Sequence, residues 1–345
     1  MKRALATCAL LLAGCPADPP DAVDAGTDAG PDASAPAWRA VAEKLDGALL
    51  AVWGPSPNDV WAVGGALGNG AAPTVVRWNG VGVTPVPTTG TETYWWVHGA
   101  GAQDVWLVGE KGRATHWNGT ALEERPTGTS ATLFGVMAFA PDDVWAVGGT
   151  PDQPDADNDV VLHWNGSAWT KEAVPEPKKL AFFKVWGARP DDLWVVGEAG
   201  VVWHRTTGGW KREAEGLATG RLTTVSGCSA SEAFAVGGRD VLAWNGSAWS
   251  RVDVPLLNDV NGVACAPAGA PAGPGIARAV IVGGGSFKLR LVDGAWKSDF
   301  GAPPLTDLHG AFVDASGALW GAGGGFTSAA SPGRKRDGVL ARYAP

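Results

Sequence analysis

The chain has 345 residues, among them 50 glycines, 25 prolines and 19 tryptophans, and only 18% of its residues are charged. With 45% apolar residues it is not a disordered chain, and so much glycine and tryptophan is atypical of a helical domain. The net charge is −8 and no basic stripe is present, so nucleic acid is not a predicted partner.

The N-terminal residues have the pattern of an export signal. Two cations precede an apolar run over residues 4–12, which is too short to span a bilayer as a helix. The run ends in LAGC, which resembles the lipobox of bacterial lipoproteins. The resemblance implies that residues 1–14 are a signal peptide and that Cys15 is lipidated and anchors the chain in a membrane. Because Pro16 follows the cysteine, resemblance to enterobacterial sorting favours an outer-membrane lipoprotein of the cell envelope.

Residues 15–36 have the composition of a tether. After Cys15 they contain five aspartates, no cation and a single bulky apolar residue, Val23. Such a segment cannot bury enough apolar surface to offset its chain entropy, so we expect a flexible acidic linker. The folded domain is predicted to occupy residues 37–345.

A phrase of the type Asp-Val-Trp-x-Val-Gly recurs along this domain. Seven copies follow one another at intervals of 39 to 49 residues, and their third residues are Trp61, Trp106, Trp145, Trp194, Phe234, Ile281 and Trp320. Propeller blades have this repeat length. Most units also contain Asn-Gly after a tryptophan, which predicts a type I′ hairpin turn. Each unit therefore reads as four short strands, without helical periodicity.

The last unit ends at Tyr343 without room for a fourth strand. The missing strand is at the other end of the chain, where Ala37-Trp38-Arg39 matches the fourth strands of other units. Pairing the two would close the ring and remove an exposed sheet edge. The sequence thus predicts an all-β, seven-bladed β-propeller of four-stranded antiparallel blades closed by the N-terminal strand, with six or eight blades as alternatives.

The repeated phrases DVWAVGG and VLHWNGSAWTKEAV resemble bacterial kelch-like and Asp-box (BNR, YCF48-like) propeller repeats. The resemblance covers residues 37–345 and implies a propeller fold. In detail, the Ser-x-Asp-x-Gly-x-x-Trp pattern of Asp boxes is replaced by Trp-Asn-Gly-x-x-Trp. The resemblance therefore supports the fold and implies no inherited activity.

Most aromatic and histidine residues occupy repeat positions. Sixteen of the 19 tryptophans do so, which predicts packing between blades. Of the others, Trp95 and Trp96 are the candidates for ligand contact. His116, His163 and His204 share one repeat position, so they should be spread around the ring. We predict no metal site and no catalytic group.

Three connections between second and third strands are long, over residues 66–73, 150–159 and 326–337. In a propeller such connections share one face, which is where we expect ligand binding. The candidate residues in these connections are Asp155, Asp157, Asp159, Arg334, Lys335 and Arg336. The alternating aspartates suggest calcium, but Val160 stands where a calcium loop would have glycine, and a solvated loop is preferred. No cofactor is therefore expected. An insert at residues 266–277 belongs to the opposite face.

Cys228 and Cys265 occupy near-equivalent places on the first strands of neighbouring units. An oxidising envelope permits a disulfide between blades five and six, and we expect one.

The predicted function is a non-catalytic, lipid-anchored scaffold that binds an envelope protein or surface polysaccharide, as a monomer. The abundant aromatics leave a glycan-binding module as an alternative. An envelope polysaccharide hydrolase or lyase is another, and it would need acidic or histidine side chains clustered at one end of the axial channel.

Overall fold

The computed structural model describes residues 36–65, 70–175, 178–255, 258–325 and 337–344. The predicted signal peptide, Cys15, nearly all of the tether and the basic run Arg334-Lys335-Arg336 lie outside the described residues. Within them, 28 strands form seven antiparallel sheets of four strands each. This arrangement is the seven-bladed propeller, so the prediction of seven blades is confirmed over six or eight.

The blades follow one another along the chain. Blade 1 comprises β2 (Leu49–Ser56), β3 (Asp59–Gly64), β4 (Val75–Trp78) and β5 (Val83–Pro85). Blade 2 comprises β6 (Tyr94–Gly101), β7 (Asp104–Gly109), β8 (Ala114–Trp117) and β9 (Leu122–Glu124). Blade 3 comprises β10 (Thr132–Ala140), β11 (Asp143–Gly149), β12 (Val160–Trp164) and β13 (Trp169–Lys171). Blade 4 comprises β14 (Phe182–Arg189), β15 (Asp192–Gly197), β16 (Val202–Thr206) and β17 (Gly209–Glu213).

The remaining blades continue this order. Blade 5 comprises β18 (Thr224–Ser229), β19 (Glu232–Gly237), β20 (Asp240–Trp244) and β21 (Trp249–Arg251). Blade 6 comprises β22 (Val260–Cys265), β23 (Ala277–Gly283), β24 (Lys288–Val292) and β25 (Ala295–Ser298). Blade 7 comprises β26 (Asp307–Val313), β27 (Leu319–Gly324), β28 (Gly338–Ala344) and β1 (Ala37–Leu45).

The N-terminal strand closes the ring. β1 pairs antiparallel with β28 and is the outermost strand of blade 7, with Trp38 opposite Tyr343 in the register. The indole of Trp38 is buried, and its N–H donates to Asp299 Oδ2 of blade 6 at 2.8 Å. The closure predicted from the matching Ala-Trp phrases is therefore present, and it joins the two ends of the domain.

Tryptophans of the second strands form the core between blades. Trp106 of blade 2 is fully buried, and its ring centroid lies 5.3 Å from that of Trp164 and 5.3 Å from that of Trp169, both in blade 3. Trp194 of blade 4 contacts Trp244 of blade 5 in the same way, at 4.8 Å. The three repeated tryptophan positions thus meet at the interfaces between blades, which explains why they recur together.

The Asn-Gly hairpins differ in type from the prediction. The first turn residue, as in Asn165, does not have positive φ, whereas the following Gly166 has φ +90°. The Asn165 side-chain oxygen accepts the backbone N–H groups of Ser167 and Ala168, each at 3.0 Å, and a four-residue loop results. The type I′ assignment was wrong because an Asx turn competes with the positive φ that asparagine would otherwise adopt.

The two ends of the propeller have different connections. Connections between strands two and three, and between one blade and the next, lie on one face, here called the loop face. Connections between strands one and two, and three and four, lie on the other, here called the hairpin face. The seven first strands surround the axis, each beside the first strand of the next blade. Among the described residues, helical structure is limited to the 3₁₀ turns Glu110–Gly112 and Glu198–Gly200, and neither could cross a membrane.

Candidate functional site

A groove on the loop face runs between blades 3, 4 and 5. It has a volume of about 470 Å³ and is formed by the second-to-third-strand connections of blades 3 and 4 and the segments that lead into blades 4 and 5. Arg221 crosses it, pairs with Asp152 and lies 3.4 Å from Glu198 Oε1. The hydrogen bond to Asp152 raises the pKa of the Arg221 guanidinium. The centre of the groove therefore holds one guanidinium between two carboxylates.

A second groove of about 460 Å³ occupies the equivalent place between blades 2 and 3. Lys111 Nζ lies 2.9 Å from Glu92 Oε1 at its edge. The hydrogen bond from Lys111, with backbone N–H groups, lowers the pKa of Glu92 to about 2. Both grooves are thus bordered by ionised side chains that already have partners.

One repeated feature builds both grooves. Glu110 and Glu198 each begin a 3₁₀ turn directly after a second strand. The carboxylate of Glu110 accepts the N–H of Thr93, and that of Glu198 accepts the N–H of Ala181, in each case where the chain enters the innermost strand of the same blade. These glutamates are not among the residues predicted from the repeats, although units 2 and 4 share the phrase Gly-Glu-x-Gly that contains them.

The acidic connection of blade 3 lies beside the first groove. Asp155 is fully exposed, 3.7 Å from Lys179 Nζ, and Asp157 accepts from Lys171 at 2.8 Å. Asp159 is buried and accepts the backbone N–H of Lys179 at 2.6 Å. Asp155 and Asp159 thus contact different groups of Lys179, whereas Asp157 pairs with Lys171. Among the described residues no group of three or more metal-ligating side chains could hold an ion.

The structure separates Trp95 from Trp96. Trp95 packs on Phe134 near the loop-face end of the axis, with ring centroids 5.0 Å apart. Trp96 instead lines an axial cavity, and Lys184 Nζ lies 3.1 Å from its ring centroid. The two predicted contact residues therefore do not act on one surface, because adjacent residues of a strand point to opposite sides.

The axial cavity has a volume of about 340 Å³ and is lined by all seven innermost strands. It extends from the middle of these strands to the hairpin face, where the exposed residues Pro267 and Ala268 form part of its rim. Towards the loop face, Trp95, Ala181, Phe134 and Phe183 pack together where the innermost strands begin. Its described lining contains no carboxylate.

Two histidines on innermost strands are neutral at pH 7. His98 lines the cavity, and its Nδ1 accepts the backbone N–H of Ala138 at 3.1 Å. His309 Nδ1 donates to the carbonyl oxygen of Leu50 at 2.9 Å. Burial lowers the pKa of each to about 4. Both are held by the backbone of neighbouring blades.

The other three histidines belong to separate blades, as their repeat spacing predicts. His163 Nε2 lies 2.8 Å from Asp143 Oδ1, and the same oxygen accepts from Trp145 Nε1 at 3.0 Å. His116 pairs with Asp104, and His204 with Asp192, through the same imidazole nitrogen. In each case the imidazole stacks on the second-strand tryptophan. These histidines fix strand three against strand two.

Cys228 and Cys265 are bonded in the structure, with their sulfur atoms 2.17 Å apart, and join β18 to β22. Both residues line the axial cavity. Their oxidation state in the cell stays a prediction, which counting free thiols in natively purified protein would test.

Comparisons with solved structures place the chain among β-propellers. YCF48 bound to a D1 peptide is 15% identical over 89% of this chain and 97% of that chain, with a TM-score of 0.62. Virginiamycin B lyase from Staphylococcus aureus is 12% identical over 90% and 99%, with a TM-score of 0.67. The WD40 repeats of RRP9 are 12% identical over 90% and 98%, with a TM-score of 0.64. At these identities the likeness concerns the fold alone. No family model and no curated protein matches the chain.

Proposed function

We propose that the protein is a non-catalytic, lipid-anchored propeller of the cell envelope that binds a protein partner on its loop face. The observation that carries this proposal is the pair of equivalent loop-face grooves, of about 470 and 460 Å³, built by the repeated glutamate turns. In each groove a glutamate of the turn accepts the backbone N–H of the segment that enters the same blade, so the groove offers a preformed surface at little cost in chain entropy.

The electrostatics of the first groove favour a polar partner surface. Arg221 and Lys179 border it, and each is about half or more exposed beside its acidic neighbour. Carboxylates of a partner could replace the acidic neighbours of these two basic side chains. Such an exchange contributes to the orientation and specificity of binding more than to its affinity. Among the solved propellers of this shape, one is bound to a peptide and others carry WD40 repeats, which is consistent with a protein partner.

Among the described residues, the enzymatic alternative lacks the cluster of acidic or histidine side chains that it requires. The described lining of the axial cavity contains no carboxylate, and its single histidine already accepts a backbone N–H. The glycan-binding alternative needs exposed aromatic platforms, whereas Trp61, Trp106, Trp194 and Trp320 are buried between blades. The proposal therefore stays with binding of a protein.

The test is affinity capture from detergent-solubilised envelope, with the tagged full-length protein as bait. We compare the double variant K179Q/R221Q in the groove with R189Q/K211Q, which removes the same charge from exposed positions outside both grooves. We expect one partner to be captured by the wild type and by R189Q/K211Q, and to be lost from K179Q/R221Q. Equal capture by both variants, or capture of no protein, would contradict the proposed loop-face site. Capture of polysaccharide alone would support the glycan-binding alternative instead.

A further inference from the structure

The axial cavity has the dimensions of a small-molecule site. Its volume of about 340 Å³ lies in the range typical of ligand pockets, roughly 300–1,000 Å³. The cavity is separate from the loop-face grooves, because aromatic residues pack at the loop-face end of the axis. A ligand would therefore enter from the hairpin face, past Pro267 and Ala268.

The cavity walls are apolar and fixed in position. The indole of Trp186 lies against Gly227 of the next blade so closely that a Cβ on Gly227 would be 2.1 Å from the ring. Trp53 lies over Gly99 in a similar way, at 2.9 Å. The bond between Cys228 and Cys265 joins two of the lining strands. These contacts hold flat aromatic surfaces in place before any ligand arrives.

Lys184 is the one basic amine in the described lining of the cavity. It is 4% exposed, and its Nζ donates to the carbonyl oxygen of Phe134 at 2.8 Å and sits over the Trp96 ring. Lys288 is also buried, yet its ammonium donates to three carbonyl oxygens, those of Ser286, Ala302 and Pro304. An ammonium has three donors, so among the described contacts Lys184 keeps capacity for a further acceptor.

We propose that the axial cavity binds a small apolar monocarboxylate, whose carboxylate accepts a hydrogen bond from Lys184 and whose hydrocarbon body packs on Trp53 and Trp186. Charge complementarity supports this ligand class, because the described lining offers one lysine and no carboxylate. Burial lowers the pKa of Lys184 well below its ordinary value, and a bound anion would offset that burial cost. This site goes beyond the proposed scaffold function, since it lies on the axis and opens at the opposite face.

The experiment uses the full-length protein in detergent and two probes of equal shape, the naphthoate anion and its neutral amide, naphthamide. Binding is followed by calorimetry and by quenching of tryptophan fluorescence. Three variants are compared with the wild type. K184M removes the ammonium, A268W narrows the exposed rim of the cavity, and A295W adds the same bulk at an exposed position on the outermost strand β25.

We expect naphthoate to bind the wild type with one-to-one stoichiometry and more tightly than naphthamide. K184M should weaken naphthoate binding by about tenfold or more, as for loss of a charge-assisted hydrogen bond, and weaken naphthamide binding much less, because its amide oxygen is an uncharged acceptor. A268W should weaken both probes, and A295W neither. Absence of saturable naphthoate binding to the wild type would overturn the proposal, as would equal affinity of the two probes or binding that A268W does not affect. Melting temperatures of the variants separate loss of binding from loss of fold.

Discussion

At the scale of single residues, burial decides the charge of the two histidines beside the axis. His98 accepts a backbone N–H, and His309 donates to a backbone carbonyl, in each case from a neighbouring blade. The desolvation that lowers each pKa to about 4 keeps both rings neutral in the folded state. In the unfolded chain a histidine titrates near its ordinary pKa of about 6.5. The two states therefore bind different numbers of protons over the interval between these values.

This difference predicts an acid-sensitive propeller. As the pH falls from about 6.5 to 4, the unfolded state takes up protons that the folded state does not, so the free energy of unfolding decreases. A shift of about 2.5 pKa units corresponds to at most about 3 kcal/mol for each histidine. The double variant H98Q/H309Q, whose amides can accept and donate the same backbone hydrogen bonds, should lose less stability over this interval in denaturant titrations. Carboxylates titrate in both the wild type and the double variant. If the two proteins lost the same stability over this pH interval, the loss could not be assigned to His98 and His309.

At the scale of the blade, an acid, a histidine and a tryptophan form one unit across strands two and three. In blade 4, His204 Nε2 lies 2.7 Å from Asp192 Oδ1, and its ring stacks on Trp194 with centroids 3.7 Å apart. In blade 1 the histidine is replaced by Arg77, which pairs with Asp59 and covers Trp61. The strand-three position opposite the tryptophan thus needs a planar cationic or polar side chain. This side chain stacks on the indole and donates a hydrogen bond to the aspartate.

A double-mutant cycle tests this unit. We expect D192A and H204A to be coupled by about 1–2 kcal/mol in the free energy of unfolding, because both side chains are largely buried and hydrogen-bonded. The control cycle removes Lys211 and Glu213, a pair whose lysine is mostly exposed, and should show coupling below about 1 kcal/mol. Equal coupling in the two cycles would mean that the His204 pair contributes no more than a surface ion pair.

The sequence was informative where one residue type performs one task in every blade. Tryptophans at fixed positions predicted the number of blades, and the matching phrase around Trp38 predicted the closing strand. It was uninformative where a property arises from the assembled ring. Lys184 occupies the first-strand position of Ala51 in blade 1, so the repeat does not predict a lysine there, and only the neighbouring blade brings the Phe134 carbonyl to its amine. The groove glutamates occur in only two units, so a search for seven copies overlooked them.

At the scale of the whole molecule, the propeller depends on β1, which comes from the opposite end of the domain to its partner β28. Without β1, blade 7 would expose the edge of β28 and the apolar surface that Trp38 covers between blades 6 and 7. An open edge offers unpaired backbone groups to other chains. The interface between blades 6 and 7 would then lose the packing of Trp38 and its hydrogen bond to Asp299.

Removal of this strand should therefore destabilise the entire ring and not blade 7 alone. A chain of residues 47–345 should unfold at lower denaturant concentration than one of residues 36–345 and should form oligomers, as measured by light scattering. The single variant W38A should cost about 3–5 kcal/mol in the free energy of unfolding, because it removes a buried indole and its hydrogen bond to Asp299. E43A, on the same strand but exposed, should change stability by less than about 0.5 kcal/mol. If residues 47–345 were as stable and as monomeric as residues 36–345, ring closure by β1 would not be what holds the seven blades together.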